Sequence, residues 1–145
     1  MTSYPPESHG MLELEKIPSV VIDTHIWVWQ AAGDRRVEKL RKYRGRQILS
    51  AICVWEASML AAKGRLKLKP DVAAWVAHNL ESPVEMEPLS AEISVRSSQL
   101  VDFHGDPADR LIVATAMVLQ IPLITADEQI HRWNKNAGVL KVVGV

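Results

Sequence analysis

The chain has 145 residues, 48% hydrophobic and 23% charged, with 17 acidic and 17 basic side chains. That length fits one domain with a sizeable core, and a formal net charge of zero excludes a general polyanion-binding surface. The single cysteine, Cys53, leaves no intramolecular disulfide and fits a reducing cytoplasm. No apolar stretch approaches membrane-spanning length.

Residues 1–17 read as a flexible leader: polar, proline-containing, and without the charged head and apolar core of a signal peptide. Residues 18–145 read as a single domain. Ser19 to Asp23 is a short β-branched run, the pattern of a buried parallel strand. His25 to Ala32 predicts a helix stopped by Gly33. Asp34 can cap a second helix, Arg35 to Tyr43, which Gly45 breaks. Gln47 to Leu49 is a brief strand. Ser50 then caps a helix reaching about Lys63, stopped by Gly64. Pro70 can start the next helix, to about Leu80, with Asp71 in its first turn. VEME between Pro83 and Pro88 is a strand. Ser90 caps a helix to about Val101. Asp106 and Pro107 open another, to about Gln120. Ile121 to Thr125 is a strand, Asp127 to Trp133 a short helix, and Val139 to Val143 a last strand. Strands separated by helices imply a three-layer α/β/α sandwich around a central, mainly parallel sheet. Sites in such sheets form beyond the carboxyl ends of the strands.

Four acids stand where a folded chain has little structural use for negative charge: Asp23 after VVI, Glu56 inside ICVWEASML, Asp109 before LIVATA, and Asp127 after PLITA. Asp23 and Asp127 also read as helix N-caps. Glu56 lies in the second turn of its helix, too late to cap it. Its neighbours at three- and four-residue spacing, Cys53, Ile52, Met59 and Leu60, are all apolar. Asp106 reads as the cap of its helix or a group supporting the site, and Asp109 as the ligand, against a capping-box alternative. Thr24 and Thr125 flank Asp23 and Asp127 as supporting polar groups. Unpaired buried carboxylates are costly, so four on separate elements point to one shared cation. Oxygen donors favour a hard cation, Mg²⁺ or Mn²⁺. The histidines show no metal-ligand spacing among themselves, and no phosphate-binding glycine loop or nucleophile elbow is present.

The segments VIDTHIWVW, SAICVWEASMLAAKGRLKL and HGDPADRLIVATAMVLQIPLITAD, in that order, resemble the PIN-domain ribonucleases, especially the VapC-like toxins of toxin–antitoxin pairs. The resemblance runs from about Ser19 to Val143. It places the family's four acids on Asp23, Glu56, Asp109 and Asp127. It implies Mg²⁺- or Mn²⁺-dependent hydrolysis of RNA phosphodiesters, neutralisation by a small antitoxin protein, and a homodimer. RNA would need basic residues at the rim of an acidic cleft, for which Arg35, Arg36 and Arg110 are the candidates. Trp27 or Trp29 is expected to line a partner groove or a dimer contact, whereas Trp55 reads as core. A non-catalytic binding scaffold is the alternative. A phosphoacceptor receiver domain would need an acidic pair after the first strand and a lysine after a late one, and the chain has neither.

Overall fold

A computed structural model describes residues 14–145. Most of the expected leader therefore lies outside the described residues. Its end does not: residues 14–16 form a helical turn, Leu14 is buried, and Ile17 packs against the core. The Ile17 carbonyl accepts a hydrogen bond from the Tyr43 hydroxyl at 2.7 Å, which ties this segment to the domain.

One or two helices separate each strand from the next: β1 (Ser19–Ile22), α1 (Thr24–Ala31), a 3₁₀ helix (Arg35–Lys42), β2 (Arg46–Ser50), α2 (Ala51–Ala62), α3 (Val72–Asn79), β3 (Val84–Glu87), α4 (Ala91–Ser98), α5 (Pro107–Leu119), β4 (Leu123–Ile124), α6 (Glu128–Ala137) and β5 (Val142–Val143). All five strands are parallel, in the order β3-β2-β1-β4-β5. The chain thus steps from β1 to β2 to β3 in one direction and from β4 to β5 in the other. Right-handed crossovers then put helices on both faces of the sheet. Central β1 is sealed on both sides, and Val20, Val21 and Ile22 are fully buried. Each such side chain contributes about 1.5–3 kcal/mol relative to exposure.

Several element boundaries differ from the sequence reading. The second helix is 3₁₀ rather than α, with a kink at Val37. It ends at Tyr43, whose ring folds back over Gly45, where a Cβ would sit 2.0 Å from the Tyr43 hydroxyl and 2.7 Å from the Pro18 carbonyl. Asp71 caps α3 through a 2.8 Å bond from the Ala74 amide, so that helix begins at Val72, two residues later than Pro70 suggests. α4 stops at Ser98, whereas α6 runs on to Ala137. β4 and β5 are two-residue ladders, because only Leu123, Ile124, Val142 and Val143 pair.

The tryptophans are distributed differently from expectation. Trp27 is buried, packs edge-on against Trp75, and donates from Nε1 to the Asn79 carbonyl at 2.9 Å, which leaves it no route to a partner surface. Trp55 is 56% exposed rather than core. Cys53 and Ala57 form the buried stripe of α2. Trp55 lies two residues from each, about 200° away around the helix, and so faces outward.

Candidate metal centre

β1 and β4 are neighbours, and the crossovers diverge at this point of the sheet. A crevice at the carboxyl ends of two such strands is the usual ligand position in an open α/β sheet. Asp23 directly follows β1, and Thr125 to Asp127 directly follow β4.

Asp23 is 7% exposed. One oxygen, Oδ1, accepts the Ile26 amide at 2.9 Å and caps α1, and the other accepts the hydroxyl of Thr125. Burial pushes its carboxyl above the ordinary range, partly offset by those two hydrogen bonds. The capping and site readings of Asp23 are therefore compatible, since each carboxylate oxygen keeps a second lone pair. Thr125 lies behind the site, fully buried, and its hydroxyl also accepts the Asp127 amide at 3.0 Å.

Glu56 has a partner that its own helix could not reveal. The buried Thr24, the first residue of α1, donates its hydroxyl to Glu56 Oε1 at 2.5 Å. Asp106 caps α5, accepting the Ala108 amide at 2.9 Å and the Asp109 amide at 3.4 Å. Asp109, on the first turn of α5, turns its Oδ2 to Nε2 of His104 at 2.8 Å. Burial raises the Asp109 carboxyl to about 6; the His104 hydrogen bond opposes this, and the charges of Asp106 and Asp127 add to it. Asp127 caps α6, accepting the Gln129 amide at 2.8 Å and the Ile130 amide at 3.4 Å. Three helix N-termini, those of α1, α5 and α6, thus carry Asp caps at this site. Their positive dipole ends moderate the cost of gathering negative charge.

All four predicted acids line one cleft of about 360 Å³, together with Asp106, Thr24, His25 and Trp29. Asp109 and Asp127 of this cleft and the neighbouring His104 each offer a ligand atom, and these three atoms lie within 4.8 Å of one another. No lysine or arginine lines the cleft, and its carboxylates supply the oxygen donors that suit a hard divalent cation, with His104 adding one nitrogen beside them. The Asp109 carboxyl is pushed up first by burial and then by like charges, and a cation would relieve both.

His104 and His25 escaped the sequence reading, which compared the histidines only with one another. The signal available was the HGDPAD segment, where His104 sits two residues before the cap of α5 and five before Asp109. Its ring stacks on Phe103 at 4.1 Å, and Trp133 packs edge-on against Phe103 at 4.9 Å.

The three candidate rim arginines fare differently. Arg110 does not line the cleft. Its guanidinium donates to the carbonyls of Ser97, Leu100, Phe103 and His104 at 3.1–3.3 Å, clamping the α4–α5 connection. Arg36 pairs with Asp34 and lies 3.9 Å above the ring of Trp29, which itself lines the cleft. Arg35 is exposed on the 3₁₀ helix.

The PIN-domain family matches residues 20–136. The chain belongs to that family. It is 28% identical over 118 residues to Ribonuclease VapC22 of Mycobacterium tuberculosis, covering 78% of this chain and 90% of the relative. Its fold is similar to a chain of the VapBC2 complex from Rickettsia felis bound to a promoter DNA fragment, with a TM-score of 0.65 and 20% identity over 87% of this chain and 98% of that one. It is similar also to a chain of a toxin–antitoxin complex from Klebsiella pneumoniae, with a TM-score of 0.62 and 24% identity over 86% of this chain and 95% of that one.

Proposed function

We propose that the protein is a divalent-cation-dependent endoribonuclease and the toxin of a toxin–antitoxin pair. The observation that carries this reading is the convergence, within a PIN domain, of carboxylates from four separate elements on one cleft. The likeness to a ribonuclease and to toxin–antitoxin complexes supports the substrate class and the partner. Asp23, Glu56, Asp109 and Asp127 would hold Mg²⁺ or Mn²⁺. When bound, such a cation polarises a phosphoryl oxygen and makes water a better nucleophile.

The chain's own residues do the positioning. Thr125 and the Ile26 amide fix the buried Asp23 carboxylate, and Thr24 fixes one oxygen of Glu56 while leaving the other to the cleft. His104 orients Asp109. A cation held there would compete with the proton that the raised Asp109 carboxyl holds in mildly acidic solution, so affinity should fall as pH drops towards about 6. The outward-facing Trp55 on α2 supports a protein partner, because an exposed large aromatic is a common anchor in interfaces. A homodimer and a cytoplasmic location belong to the same reading. No described helix is long and apolar enough to cross a membrane.

The test is purified protein with mixed RNAs, in Mn²⁺ or Mg²⁺ against EDTA. Cleavage should require the cation and vanish in Asp23→Asn and Asp109→Asn proteins that retain their fold. Asp106→Asn should be milder, since Asn also caps a helix. A wild-type protein that cleaves no RNA with either cation would favour the binding-scaffold alternative.

A further inference from the structure

We propose that α6 carries the path by which single-stranded RNA leaves the acidic cleft, with Arg132 and Lys135 contacting its phosphates; this rests on the ribonuclease reading above. A second groove of about 350 Å³ lies beside the cleft, its lining including Thr125, Ala126, Glu128, His131, Arg132 and Lys135, with two basic side chains against one acidic. Ala126 lines both depressions, so residues 125–127 form the shared wall between them. The two are also mechanically joined. His131 donates from Nε2 to the Thr125 carbonyl at 2.8 Å, and the Thr125 hydroxyl holds Asp23.

The helix register explains which residues face the groove. Positions 128, 131, 132 and 135 recur at three- and four-residue spacing and share one face. On another face, Ile130 is fully buried and Trp133 packs against the core. α6 is capped by Asp127 in the cleft and carries the groove residues away from it. At 1.5 Å per residue, Arg132 lies about 7.5 Å and Lys135 about 12 Å along the axis from Asp127.

The electrostatics call for cations here. A phosphate reaching the cleft meets Asp23, Glu56, Asp106, Asp109 and Asp127. At physiological ionic strength charges act over about 8 Å, so Arg132 is near enough to offset the cleft, while Lys135 meets the strand farther along α6. Arg110 is committed to four carbonyls, and Arg36 to Asp34 and Trp29. Arg132 and Lys135 are exposed and have no hydrogen-bond, ion-pair or ring partner among the described residues. They are therefore available to a ligand. A nucleic acid suits the groove better than an amphipathic partner helix, because none of the exposed large hydrophobics (Trp55, Met86, Leu89, Val95, Val101, Val139) lines it.

The experiment compares wild type with Arg132→Gln/Lys135→Gln on a fluorogenic single-stranded RNA in Mn²⁺, across a salt series. Both residues are exposed, and circular dichroism with the Arg132→Gln single variant guards against a folding artefact. The double variant should show a raised KM with kcat within about twofold. The slope of log kcat/KM against log salt should become shallower by about 1.4, at about 0.7 per phosphate contact on a single strand. An unchanged KM and slope in a variant whose wild type cleaves would overturn the path and leave the ribonuclease reading standing. Loss of kcat with KM unchanged would overturn it too, since that marks damage to the acidic centre. Wild type without cleavage or RNA binding would remove the ribonuclease reading and the path together. Loss of antitoxin affinity with the RNA slope intact would reassign the groove to a protein partner.

Discussion

Asp109→Asn separates the electrostatic cost of the site from its use. In the metal-free fold the Asp109 carboxyl rises from its ordinary 3.8 to about 6, with burial as the largest cause and the charges of Asp106 and Asp127 adding to it. The side chain is only 18% exposed, so the effect is weakly screened. The rise corresponds to on the order of 3 kcal/mol against folding once the group is ionised. Between about pH 4 and 6 the native state binds more protons than the unfolded chain, so stability falls as pH rises through that window and stays low above it. Asn cannot ionise, which removes the penalty, but its weaker bond to His104 returns about 1 kcal/mol. The net gain is about 2 kcal/mol, a melting temperature raised by about 4–8 °C in a domain of this size. The assay is thermal denaturation in EDTA at neutral pH and at about pH 4, where the difference should vanish. Adding Mn²⁺ at neutral pH should stabilise wild type and leave the variant nearly unmoved. A metal-free variant that melts below wild type at neutral pH, or an advantage that persists undiminished into acid, would refute the reasoning.

Other perturbations follow from particular bonds. Thr125→Val removes the hydroxyl that satisfies the buried Asp23 carboxylate; the variant should lose about 1–3 kcal/mol by urea denaturation at neutral pH, the cost of a buried group left unpaired. Arg110→Gln breaks the carbonyl clamp at the α4–α5 connection. It should cost about 2 kcal/mol in the same assay while leaving the salt slope of RNA cleavage unchanged, and a shallower slope would return Arg110 to the RNA surface. Trp55→Ser should leave the melting temperature within about 2 °C, because the residue is 56% exposed, yet weaken antitoxin binding by about 2 kcal/mol or more in calorimetry. A strong loss of stability instead would mean that Trp55 packs within the domain.

The sequence by itself carried what is local. The β-branched SVVI run, the Ser50, Ser90 and Asp106–Pro107 starts, and the Gly33 and Gly64 stops fix elements through patterns spanning a few residues, because backbone hydrogen bonding and capping are satisfied within one element. The four carboxylates were legible for a related reason: a charge set into an apolar segment conflicts with its surroundings wherever the segment goes. What the acids touch was not legible. Thr125 meets Asp23 across 102 positions and Thr24 meets Glu56 across 32, contacts that exist only because β1 lies beside β4 and α1 beside α2. The short pairing of β4 and β5 likewise depends on neighbours rather than on their longer apolar runs. Trp55 and Arg110 show the same division from the other side. Each has a side chain suited to two environments, one as core or interface, the other as clamp or nucleic-acid contact, and composition cannot choose between them. Tertiary structure chose, by turning one face of α2 to the core and by laying four carbonyls within reach of one guanidinium.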